Sequence, residues 1–205
     1  SSVGGLTGCG DSANASAASG YTISTWGSKG PGPGQFQYVE DLDFDSKGRV
    51  YVTDAINANV QVFTADGEYL TQFGKGGPKS SLEKPEGIAI DAQNRIFVAD
   101  YISGYIHRYA ADYTHEIRFS GFGPAEGQTA ESEFMDIAPD NSKFYLAEAG
   151  NHRVSVFDLE GRFLFTFGGE GHKEGQMRRP EASKCAANGD VYVADLGNHR
   201  VQVFD

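Results

Sequence analysis

The stretch Asp195-Leu-Gly-Asn-His-Arg-Val-Gln-Val-Phe-Asp205 repeats Glu148-Ala-Gly-Asn-His-Arg-Val-Ser-Val-Phe-Asp158 almost residue for residue. Two looser copies lie upstream, Asp54-Ala-Ile-Asn-Ala-Asn-Val-Gln-Val-Phe-Thr64 and Asp100-Tyr-Ile-Ser-Gly-Tyr-Ile-His-Arg-Tyr-Ala110. The acids that open them, Asp54, Asp100, Glu148 and Asp195, recur every 46 to 48 residues. That period belongs to propeller blades or helical arrays, and the pattern inside the unit decides between them.

Within each unit the apolar residues alternate with period two, which predicts strands. In the first unit these are Asp41–Asp45, Arg49–Asp54, Asn59–Thr64 and Glu68–Gly74, with turns at Ser46-Lys-Gly48 and Ala65-Asp-Gly67. The Lys-Gly and Asp-Gly pairs supply the positive φ of tight hairpins, so consecutive strands are expected as antiparallel neighbours. One four-stranded meander cannot cover both its faces. Stacking the units around an axis can, which predicts an all-β fold: a β-propeller of four-stranded antiparallel blades.

The Asn-His-Arg-Val core, the following Val-Phe-Asp and the preceding Val-Tyr-Val-Ala-Asp resemble the NHL-repeat family of β-propellers. The resemblance runs over residues 21–205 and is degenerate in the second copy, where Ser103-Gly-Tyr105 replaces Asn-His-Arg. Members of that family usually have six blades. Four fit in this chain, with inner strands near residues 41, 87 and 136 and a fourth sheet assembled from both ends. Tyr21-Thr-Ile-Ser-Thr-Trp-Gly27 aligns with a fourth strand and Val201–Asp205 with a third. The expectation is a last blade closed by the N-terminal strand, or else an open fragment of a six-bladed propeller.

Residues 1–20 are Gly, Ser and Ala with little apolar bulk, and read as a flexible tail. Leu6-Thr-Gly-Cys9 resembles the lipobox of bacterial lipoproteins, which would make Cys9 a lipidated membrane tether. The basic segment and initiator Met that precede a lipobox are not in the sequence, which reads as a trimmed chain. The expected location is extracytoplasmic, as a membrane-anchored lipoprotein or as a secreted protein. No stretch is long and apolar enough to serve as a transmembrane segment.

The chain has 17 Lys and Arg against 28 Asp and Glu, a formal charge of −11. Nucleic acid is thereby disfavoured as a partner, because its binding depends on neutralising phosphates. Of the two cysteines, Cys185 replaces an apolar residue on an inner strand, where a buried reduced thiol is expected.

Two repeated places hold polar residues. Asp54, Asp100, Glu148 and Asp195 end the second strands, Asn57, Asn151 and Asn198 sit in the following turns, and Arg153 and Arg200 come next. Asn tolerates left-handed turn geometry and Arg can fork onto an acid, so these read as structural blade motifs. The second place precedes the innermost strand: Glu40, Glu86 and Glu181, with Met135 taken as the equivalent in the third unit. Loops entering inner strands surround the mouth of a propeller channel. Glu40, Asp41, Glu86, Met135, Asp136 and Glu181 are therefore the candidate ligand-binding residues. Crowded carboxylates favour a cation, so Glu40, Glu86 and Glu181 are also candidate ligands of a Ca or Zn ion in the channel. No cofactor is firmly implied and no general base stands out.

The functional expectation is a non-catalytic scaffold that binds a protein, peptide or glycan through its acidic channel-mouth face. The alternative is a metal-dependent enzyme resembling the propeller lactonases or the amidating and antibiotic lyases related to NHL proteins.

Overall fold

The computed structural model describes residues 23–205. Cys9, the tail over residues 1–20, and Tyr21 and Thr22 of the expected N-terminal strand lie outside them.

A short parallel pair, β1 (Ser28–Lys29) and β2 (Gln35–Phe36), precedes four antiparallel sheets. The first contains β3 (Val39–Phe44), β4 (Val50–Asp54), β5 (Asn59–Phe63) and β6 (Tyr69–Phe73). The second contains β7 (Pro85–Ile90), β8 (Ile96–Asp100), β9 (Tyr105–Tyr109) and β10 (His115–Ser120). The third contains β11 (Ser132–Ile137), β12 (Lys143–Glu148), β13 (Arg153–Asp158) and β14 (Phe163–Gly168). The fourth contains β15 (Pro180–Cys185), β16 (Val191–Asp195) and β17 (Arg200–Phe204). In each sheet the strands pair in sequence order. The predicted turns close as expected: Gly48 N–H donates to Asp45 O at 2.9 Å and Gly67 N–H to Thr64 O at 3.0 Å, with φ of 73° and 85°.

The apolar residues that alternate along the strands meet between sheets. Val60, Val62, Ile88, Val98 and Tyr109 fill the space between the first and second blades. Phe97, Met135, Phe144, Leu146 and Phe157 fill the next, and Tyr145, Val154, Val156, Val191 and Val193 the third. Each fully buried aliphatic or aromatic side chain stabilises the stack by about 1.5–3 kcal/mol.

Polar links hold the innermost strands in step. Asp41 and Asp43 of β3 accept the Ile88 and Ile90 N–H groups of β7 at 3.0 and 2.7 Å. Asp136 of β11 accepts the Cys185 N–H of β15 at 2.8 Å. The blades thus follow one another with their inner strands side by side, β3 against β7, β7 against β11 and β11 against β15.

The expected closure by Tyr21–Gly27 differs from what is observed. Among the described residues the fourth sheet has three strands, and residues 23–27 join none. The reason lies in Trp26, whose ring packs on the first blade, 4.5 Å from Phe63 and 6.2 Å from Phe36. Leu42 and Phe44 on one end of the stack and Val201 and Val203 on the other are left exposed.

Candidate functional site

The acid that ends each second strand is fully buried, and its oxygens are all engaged. Asp54 accepts Gln37 N–H at 2.8 Å and Tyr38 N–H at 3.1 Å, and Asn57 Nδ2 donates to it at 2.7 Å. Asp100 receives Glu83 N–H, Lys84 N–H and the Ser103 hydroxyl, so Ser103 replaces Asn in the degenerate copy. Glu148 binds Asn151, Arg153 and Ser155. Asp195 binds Arg178 N–H, Asn198, Arg200 and Gln202. Each acid therefore ties the end of strand two to the loop that enters strand one of the same blade.

The arginines extend the tie. Arg200 Nη2 donates to Lys173 O and Gln176 O, both at 2.7 Å, while its Nε reaches Asp195 at 2.9 Å. Arg153 does the same to Ala125 O and Gln128 O. Burial would raise the Asp195 carboxyl, yet the donors from Arg178, Asn198 and Arg200 hold it below its ordinary value. The turn geometry corrects one expectation. The left-handed residue is not the Asn, or Ser103 in the degenerate copy, but the one after it: Ala58, Gly104, His152 and His199, with φ between 52° and 66°. The Asn keeps a negative φ, and its amide donates to the buried acid.

At the second repeated place the inner strands each begin with a register shift, between Val39 and Leu42, Pro85 and Ile88, Ser132 and Met135, and Pro180 and Ala182. A bulge re-aims the residue inside it. That residue is Glu40, Glu86, Glu133 or Glu181. Counting from the bulge thus makes Glu133, not Met135, the fourth member of the set. Met135 pairs with Leu146 and is 1% exposed in the core between the second and third blades. Asp41 and Asp136 likewise each give one oxygen to the next blade's backbone and the other, respectively, to Leu42 N–H and to the Lys184 ammonium, and so are not free carboxylates at the mouth.

The four glutamates share one electrostatic neighbourhood. Glu86 and Glu133 are only 4% and 6% exposed. Burial, hydrogen-bond contact with Glu86 and the charges of Glu86 and Glu181 push the Glu133 carboxyl up to about 9. Two carboxylates buried this close together favour keeping one proton between them. Glu40 is also raised, by burial and then by Glu86 and Glu181, with Lys84 acting the other way. The Lys84 ammonium pairs with Glu86 and sits 3.8 Å over the Tyr101 ring. Among the described residues no three His, Cys, Asp or Glu side chains lie close enough to hold a metal ion. A Ca or Zn ion does not fit these glutamates as they stand, because Lys84 already fills the cationic place beside Glu86.

Sequence reasoning missed Glu133 because it aligned the third unit on Phe134-Met135. The signal available was the position of the glutamate, second in every inner strand.

Residues 185–204, which run from the end of β15 through β17, match the family model described as NHL repeat. No curated protein sequence matches the chain. Among solved structures, a streptogramin B lyase is 15% identical with a TM-score of 0.63, over 82% of this chain and 54% of that one. Virginiamycin B lyase from Staphylococcus aureus, in a catalytically inactive H270A form with quinupristin, is 15% identical with a TM-score of 0.61, over 81% and 55%. A chain of the nidogen/laminin complex is 20% identical with a TM-score of 0.66, over 81% and 60%. The chain therefore spans little more than half the length of these structures, which establish its fold. The chain thus has a β-propeller fold, and its fourth sheet carries a match to the NHL repeat.

Proposed function

We propose that the propeller is a non-catalytic scaffold that recognises a partner through the acidic surface around Glu40, Glu86, Glu133 and Glu181. The partner class favoured is a protein or peptide segment carrying Lys or Arg, with a glycan as the other member of the expected range. What supports the reading is that Lys84 pairs with Glu86 alone, which leaves Glu40 and Glu181 on the same face without an ion pair among the described residues. The resemblance in fold to the nidogen/laminin complex agrees with a binding role for such a scaffold.

Calorimetric titration with a lysine-rich peptide tests it. Binding should weaken as salt rises, and the combined Glu40→Gln, Glu86→Gln and Glu181→Gln variant should lose about tenfold or more in affinity. Binding unchanged in that variant, or none by the parent, refutes it.

The enzyme reading has one observation of its own. Glu133 and Glu86 with one proton between them form a donor and acceptor pair of the kind that general acid–base chemistry uses, on a fold shared with virginiamycin B lyase. If that reading holds, quinupristin is cleaved by the parent and not by Glu133→Gln. Absence of cleavage by the parent removes this substrate from consideration.

A further inference from the structure

A cavity of about 450 Å³ opens between the outer strands of the first and second blades, away from the channel glutamates. That volume lies within the range of small-molecule sites. Its apolar wall is aromatic: Phe73 stacks on Tyr113 at 5.5 Å and meets Tyr109 at 4.7 Å. His115 stands at the rim, 5.1 Å from Tyr109.

Two polar observations mark it as more than a packing gap. Asn59 is 2% exposed, and its Oδ1 is, among the described residues, the only buried side-chain nitrogen or oxygen without a hydrogen-bond partner. Its Nδ2 is spent on Gln72 Oε1 at 3.1 Å. Leaving such an acceptor unpaired forfeits its hydration without a replacement, a loss that a donor brought by a ligand would recover. Charge is the second observation. The chain carries −11, yet Lys75 lines this cavity, Lys79 and Arg118 line the groove that joins it at His115, and none of the three pairs with a carboxylate. Arg118 is held in place by Pro78 O at 3.3 Å and by the Tyr105 ring at 4.1 Å.

We propose that this cavity binds a carboxylated sugar ring of monosaccharide size. Its apolar face stacks on the aromatic wall, a hydroxyl donates to Asn59 Oδ1, and its carboxylate is taken by Lys75 and Lys79. Charge alone would accept any anion, and stacking alone any ring. The buried acceptor adds the demand for a hydroxyl.

The test is titration of glucuronic acid into the isotope-labelled chain, followed by the amide resonances of Lys75, Tyr109, Tyr113 and His115. Saturable shifts are expected there, with glucose and cyclohexanecarboxylate each binding about tenfold more weakly or worse. Lys75→Ala with Lys79→Ala, both surface changes, should bring glucuronic acid down to the level of glucose. Asn59→Leu should bring it down to the level of cyclohexanecarboxylate. The proposal is overturned by shifts that do not saturate or fall elsewhere, by equal binding of glucuronic acid and glucose, or by a lysine variant that binds like the parent.

Discussion

At the scale of single residues, the buried acids and bases set how stability follows pH. Asp195 is held below its ordinary value by its donors, so its contribution is present above the unfolded pKa and is lost as pH falls through the folded one. Arg200→Ala removes one donor to Asp195 and one to each of the carbonyls of residues 172 and 173. It should lower unfolding free energy by about 1–3 kcal/mol in a denaturant titration. His107 works in another window. Burial, and after it His115 and Arg118, push its imidazole down to about 4 against the opposing charge of Asp100. The unfolded chain takes up that proton first, so stability should fall as pH drops from about 6.5 toward 4. His107→Gln should flatten the fall in that interval. Glu133 has the opposite sign. Its carboxyl is raised to about 9, so the parent is penalised progressively as pH rises above the ordinary carboxyl value. Glu133→Gln should melt higher than the parent at pH 8, and the gain should vanish below about pH 4.

At the scale of the element, the inner strands decide how closely the blades approach. A Cβ on Gly87 would lie 2.3 Å from Glu133 O and 3.0 Å from the Phe134 Cα, both on the next blade's inner strand. Gly87→Ala should therefore push β7 and β11 apart and cost about 2 kcal/mol or more, read as a lower midpoint in urea. Asp136 joins β11 to β15 through the Cys185 N–H, and Asp136→Ala should destabilise by about 1–2 kcal/mol. These two strands also explain what sequence could and could not disclose. The meanders were legible because period-two alternation and Gly turns are local properties, and the predicted strands of the first unit fall on β3 to β6 almost without offset. The bulges were not, since they add a residue without changing the pattern, and Met135 was taken for a mouth residue on that account. Asp41 and Asp136 read as rim charges because their partners are backbone groups 47 and 49 residues away.

At the scale of the whole molecule, repeat length and alternation were enough for the propeller and its four blades. They said nothing of the Asn59 cavity, which exists only where side chains of the first and second blades meet. The fate of the N-terminal segment was equally hidden: an aromatic that reads as strand-forming found a better surface on Phe36 and Phe63. The stacking order has a dynamic consequence. Because each inner strand leans on the next along a row, the second and third blades are flanked on both sides, whereas β17 and β3 each keep one apolar face in water. Amide protons should therefore trade with deuterium slowest in β8 and β12 and fastest in β17, a gradient of local opening that runs outward from the middle of the row.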